Sequence, residues 1–121
     1  MAVRKVLCVD DANADLINLE KIVTGAGLVA LTANSGKAAL AMMAKDDKPD
    51  LIFLDINMPE MDGFAVMREL KKDADFKGIP VVLITSKSQK ADKMWAQMQG
   101  ASGYVTKPYT TDQILEQIRS F

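Results

Sequence analysis

The sequence predicts a doubly wound α/β domain of five βα units, its parallel five-stranded sheet covered by helices on both faces. Three observations carry that reading. Strand-like and helix-like periods alternate from end to end with turn residues between them, the pattern of repeated βα units. The strand runs are apolar at successive positions and not only at alternate ones, which indicates a sheet buried on both sides. No linker, repeat or low-complexity tract divides the 121 residues, a length near the commonest size of one domain.

The first strand runs from Lys5 to Val9. An amphipathic stretch follows with Leu16, Leu19, Ile22 and Val23 on one face, stopped by Gly25-Ala26-Gly27. Leu28 to Ala33 forms a second strand, and Ser35 can cap a helix that turns Leu40 and Met43 inward before Lys48-Pro49 closes it. Leu51 to Leu54 is the third strand. Beyond the turn-rich Asn57-Met58-Pro59-Glu60-Met61-Asp62-Gly63, positions Phe64, Met67 and Leu70 mark a third helix. Gly78-Ile79-Pro80 introduces a fourth strand, Val81 to Ile84, and a polar loop from Thr85 to Lys90 opens a fourth helix. Met94, Trp95 and Met98 read as core packing for that helix, although Trp95 could instead present a partner-binding patch, and Gly100 ends it. A short fifth strand around Gly103 to Val105 leads to a last helix, where Thr110 and Gln113 can form a capping box and Ile114, Leu115 and Ile118 face inward.

Fifteen Lys and Arg against sixteen Asp and Glu give a formal net charge of -1. No long-range field is then available to hold nucleic acid or an anionic membrane, so partners are recognised through local patches. No apolar stretch approaches the ~20 residues needed to cross a bilayer, and Met1-Ala2-Val3-Arg4-Lys5 leads straight into a strand. A cytoplasmic protein is the expectation. Cys8, the one cysteine, sits inside an apolar run and reads as a small buried hydrophobe.

Polar signals stand directly behind four of the five apolar runs: Asp10-Asp11, Asp55, Thr85-Ser86 and Lys107-Pro108. In open α/β sheets ligands bind outside the carboxyl ends of the strands, where strand order reverses. Three carboxylates gathered there raise one another's pKa unless a cation joins them. Mg²⁺ suits such a site, because it takes oxygen ligands and leaves positions for water and phosphate oxygens. With no histidine in the chain and one isolated cysteine, a zinc site is excluded. Asp55 is the candidate nucleophile for an aspartyl phosphate, with Lys107 supplying a point charge and Thr85 a hydroxyl donor for the phosphoryl oxygens.

Asp10-Asp11, Asp55-Ile56-Asn57-Met58-Pro59 with Asp62-Gly63, Thr85-Ser86, and Tyr104-Val105-Thr106-Lys107-Pro108 occur in that order across essentially the whole chain. Together they closely resemble the CheY-like receiver domain of two-component response regulators. The resemblance implies a flavodoxin-like sheet in the order 2-1-3-4-5 and Asp55 as the phosphoacceptor. It implies a Mg²⁺ held by Asp10, Asp11, Asp55 and the main-chain carbonyl of Asn57, and contacts from Lys107 and Thr85 to the phosphoryl group. It also implies a cis peptide between Lys107 and Pro108. Thr85 and Tyr104 become the switch pair that remodels the face of the fourth helix, fifth strand and fifth helix, and Asn57 and Lys87 flank the site and tune hydrolysis. The expected partners are a histidine kinase or its phosphotransfer domain and an effector protein, reached by a monomer without an output domain. The run Asp92-Lys93-Met94-Trp95 with Gln99-Gly100-Ala101 resembles regulators paired with chemotaxis-type kinases in pilus-driven twitching motility. A flagellar-motor regulator, a phosphate-sink receiver and a fragment of a larger regulator stand beside it.

Read singly, these residues have plainer uses. Asp11 alone could cap the first helix, Lys107 alone could be a solvated lysine, and Tyr104 could be a half-buried aromatic. Joint placement at the strand ends outweighs the plain reading of Lys107, while that of Tyr104 stays open. The rival from another class is a metal-dependent phosphohydrolase with an Asp nucleophile. Such enzymes usually place a second acid two residues after the nucleophile, where this chain has Asn57. A flavin-binding module would present a Ser/Thr/Gly-rich loop to its phosphate, where this chain has Asp10, Asp11 and Asp15.

Overall fold

Each apolar run becomes a strand, and the strands assemble in the order β2-β1-β3-β4-β5 with every neighbouring pair parallel. The computed structural model describes residues 3–44, 48–86, 94, 96–97 and 99–121. The strands are β1 (Lys5–Val9), β2 (Val29–Ala33), β3 (Leu51–Asp55), β4 (Val81–Thr85) and β5 (Gly103–Thr106). The helices are α1 (Asn13–Gly25), α2 (Gly36–Met43), α3 (Gly63–Lys72) and the C-terminal α4 (Thr111–Arg119).

Side-chain parity divides the strands between two cores. Val6, Cys8, Leu51, Phe53, Val82 and Ile84 face α1 and α4, and pack with Leu16, Leu19, Val23 and Ile114. Leu7, Val9, Ile52, Leu54, Val81 and Leu83 face the other way, onto Ala39, Met43, Val66, Met67 and Leu70 of α2 and α3. Phe53, Leu7, Leu19 and Met67 are essentially removed from water, and each such side chain contributes about 1.5–3 kcal/mol relative to exposure.

Helix ends follow the sequence signals closely. Ser35 accepts a hydrogen bond from the Ala38 N–H at 3.0 Å, and Asp62 accepts one from the Ala65 N–H at 2.8 Å. Thr110 and Gln113 form the reciprocal capping box of α4. Gly27, just past α1, takes the positive φ of 83° that suits a glycine after a helix. In α4 only Ile114 is fully buried; Leu115 and Ile118 pack at the margin of the core.

The helix expected at Met94, Trp95 and Met98 is helical at Met94, Ala96 and Gln97, whereas Trp95, Met98 and residues 87–93 lie outside the described residues. One expectation there is corrected. Met94 is exposed and Ala96 is the buried residue. Two positions apart on a helix are roughly 200° apart around its axis, so a face that buries Ala96 turns Met94 to solvent. Among the described residues no helix is long and apolar enough to cross a membrane.

Candidate functional site

The order of the strands reverses between β1 and β3, and register places the polar residues at that point. Val9 pairs with Leu54, so Asp10 and Asp55 emerge side by side. Asp55 pairs with Ile84, Thr85 pairs with Thr106, and the Lys107 N–H donates to the Thr85 carbonyl at 2.7 Å. Parity then sorts the side chains. Asp10 continues the Val6-Cys8 row, Asp55 the Leu51-Phe53 row and Lys107 follows Val105, all on the α1/α4 face. Thr85 continues the Val81-Leu83 row and shares the opposite face with Tyr104, whose strand partner is Leu83.

The structure brings Asp10, Asp11, Asp55 and Lys107 into one cluster. One carboxylate oxygen from each of the three acids lies within 4.8 Å of the other two. Asp10 and Asp55 are buried and Asp11 is exposed. Asp11 does not cap α1; the N-cap position is Ala12, whose N–H donates to Asp10 Oδ1 at 2.9 Å. Lys107 Nζ donates to Asp10 Oδ2 at 2.9 Å and stands 3.6 Å from Asp55 Oδ1. The peptide between Lys107 and Pro108 is cis. Thr85 is buried at the end of β4, while Ser86 and Asn57 are exposed just beyond their strands and Tyr104 is half-buried on β5. Lys87 lies outside the described residues.

Glycine sets the β3-α3 loop. Gly63 N–H donates to the Ile56 carbonyl at 3.0 Å, and a Cβ at Gly63 would lie 2.6 Å from the Asp55 carbonyl oxygen. Glu60 adopts a φ of 67° on the way. The first turn of α3 is thereby pressed against the strand end that carries Asp55.

Burial, and then the charge of Asp10, push the Asp55 pKa up to about 6, against the opposing pull of Lys107. Burial by itself would lower the Lys107 ammonium. Its hydrogen bonds to Asp10 and Asp15 and the field of Asp55 more than reverse that, so it stays charged. Three carboxylates share this pocket with one ammonium, leaving negative charge uncompensated. Hard oxygen donors this close together fit a small divalent ion such as Mg²⁺, and neither histidine nor thiol is available to favour zinc. Cys8 is buried one residue from β1's end, its thiol pushed up to about 12 by burial and by Glu20, so it is inert packing.

Two residues of the site were not assigned to it from sequence. Asp15, in the first turn of α1, accepts from Lys107 Nζ at 3.0 Å. The Tyr109 hydroxyl is buried without a well-formed hydrogen bond; burial and then Asp15 and Asp10 push its pKa up to about 12, against the pull of Lys107 and, more weakly, Asn18. These two line a cleft of about 370 Å³ together with Asn18, Ser86, Lys107 and Pro108.

Residues 6–119 match the family described as response regulator receiver domain. Protein PilH of Pseudomonas aeruginosa is 37% identical over 116 residues, covering 96% of this chain and 95% of that protein. Protein PilG of the same organism is 34% identical, over 96% of this chain and 85% of its own length. Among solved structures, chemotaxis protein CheY4 of Vibrio cholerae superposes with a TM-score of 0.91 at 28% identity, covering 98% of each chain.

Proposed function

The chain belongs to the response regulator receiver domain family, and on that premise we propose that it is a phosphorylation-operated switch whose phosphoacceptor is Asp55. The observation that carries this reading is the position of Asp55: buried at the tip of β3, beside Asp10 and Asp11 and 3.6 Å from the Lys107 ammonium. An Asp55 carboxylate oxygen attacks phosphorus and forms an O–P bond. The bond from phosphorus to its donor, a phosphohistidine nitrogen of a histidine kinase or its phosphotransfer domain, breaks, and the donor keeps the electron pair. Because such transfer needs little covalent help, positioning and charge neutralisation do most of the catalysis.

Asp10, Asp11, Asp55 and the main-chain carbonyl of Asn57 would hold Mg²⁺, which when bound neutralises charge on the phosphoryl oxygens. Lys107 holds its proton throughout and presents N–H donors to the same oxygens. Thr85 supplies a hydroxyl from the neighbouring strand. It shares a sheet face with Tyr104, so a displacement of Thr85 toward the phosphoryl group frees space into which Tyr104 turns. The surface altered lies along β5 and α4 and the helical segment that includes Ala96. An effector that reads it senses about -1.5 to -2 units of added charge through a change of shape.

The protein is a signalling domain and not an enzyme acting on a metabolite. Likeness along nearly the full length to PilH, PilG and chemotaxis protein CheY4 supports a role in chemotaxis-like signalling, and a pilus-linked, cytoplasmic setting belongs to the same reading. Acetyl phosphate supplied with and without Mg²⁺ tests the assignment by intact mass. One phosphoryl adduct is expected on the wild type with Mg²⁺ and none on Asp55→Asn. Label on the Asn variant would overturn it, and multiple turnover of phosphate esters would favour a phosphohydrolase.

A further inference from the structure

We propose that Asp15 is a positioning residue that holds the Lys107 ammonium back from Asp55 and so slows phosphoryl loading. The inference rests on the reading of Asp55 as phosphoacceptor. An ammonium has three N–H donors. One goes to Asp10 Oδ2 at 2.9 Å and one to Asp15 Oδ2 at 3.0 Å, which leaves Asp55 Oδ1 at 3.6 Å with only a long contact. Two acids outside the acceptor therefore hold the cation that a phosphoryl group on Asp55 needs.

The two restraints differ in how easily they give way. Asp10 is buried, with its other oxygen fixed by the Ala12 N–H, so releasing it strands a charge away from water. The Asp15 side chain is 46% exposed and water replaces its lost hydrogen bond at little cost. The Asp15 contact is thus the one that opens when Lys107 advances toward a phosphoryl oxygen. Its helix anchors it: Asp15 sits in the first turn of α1, where the helix N-terminus favours a carboxylate whether or not Lys107 is present. Asp15 also faces the cleft shared with Ser86, Lys107 and Tyr109, so its charge meets an arriving phosphate anion.

A double-mutant cycle separates restraint of Lys107 from general repulsion. The rate of labelling by acetyl phosphate with Mg²⁺ is measured by intact mass for wild type, Asp15→Asn, Asp15→Glu, Lys107→Gln and the Asp15→Asn/Lys107→Gln pair. Asp15→Asn should label about two- to fivefold faster, the range that a half-exposed ion pair is worth, and Asp15→Glu should stay near wild type. In the Lys107→Gln background the acceleration should vanish. The ¹⁵N resonance of the Lys107 ammonium should shift in Asp15→Asn, which a purely structural role for Asp15 would not produce. An unchanged or slower Asp15→Asn overturns the proposal, as does equal acceleration in both backgrounds or an unmoved Lys107 resonance. If Lys107→Gln is not labelled, the resonance and the Asp15 variants decide. A wild type that takes no label refutes the Asp55 reading instead.

Discussion

Lys107 Nζ stands 3.6 Å from Asp55 Oδ1, within range of its charge and beyond a well-formed hydrogen bond. Asp55 ends β3 and Lys107 directly follows β5, with β4 between them, so the pair depends on three consecutive strands ending level. Lys107→Gln removes the pull that opposes burial and Asp10 at the Asp55 carboxyl and leaves Asp10 without its charged donor. The Asp55 pKa should rise above its present value of about 6, read by ¹³C carboxyl titration. Urea unfolding near neutral pH should show a loss of about 2 kcal/mol, as for other hydrogen bonds to charged groups. An Asp55 titration that does not move would break the link.

The raised pKa of Asp55 makes stability depend on pH in a fixed direction. The unfolded carboxyl titrates near 3.8 and the folded one near 6, so the folded state holds the proton more tightly. Stability therefore falls as pH climbs from about 4 to about 6 and levels off above, where burying the charge costs on the order of 3 kcal/mol. Asp55→Asn escapes that cost. Without divalent metal it should be the more stable protein above about pH 6, and its advantage should disappear below about pH 4. A difference independent of pH would contradict this account.

Sequence patterns located Asp10, Asp55, Thr85 and Lys107 because parallel strands present their carboxyl ends on one side, and each residue directly follows an apolar run. The strand ends were read one residue short. Asp55 and Thr85 are polar, yet both remain in the ladder, opposite Ile84 and Thr106. The Thr110-Gln113 cap was legible because its partners are local. Asp15 was not, since its partner lies 92 residues away and no periodicity links them. Met94 misled for a different reason: apolar type alone does not choose between two sides of a helix, and small Ala96 takes the inner one.

Uncompensated charge at Asp10, Asp11 and Asp55 predicts a stabilising response to magnesium. A ligand that binds only the folded state adds about 1.4 kcal/mol when present at ten times its dissociation constant. Thermal melts should shift upward with added Mg²⁺ in the wild type and much less in Asp10→Asn or Asp11→Asn. Apparent affinity should weaken as pH falls through about 6, because the ion must displace the Asp55 proton. Equal shifts in all three proteins would place the ion elsewhere.

Gly63 links the backbone to the chemistry more tightly than any polar contact in the loop. A methyl group there would sit 2.6 Å from the Asp55 carbonyl oxygen and 2.9 Å from the Ile56 Cα, both backbone atoms that have no rotamer to escape into. Gly63→Ala must push α3 outward or displace the end of β3, and overpacking of this kind costs about 1–3 kcal/mol. Displacing β3 would carry Asp55 away from Asp10 and Lys107, so phosphoryl labelling should slow along with the loss of stability. Gly78→Ala is the matched control: nothing lies within 4 Å of the added atom and its φ is not positive, so both quantities should stay near wild type. If Gly63→Ala instead labels at the wild-type rate with unchanged melting, the close approach of α3 does not position Asp55.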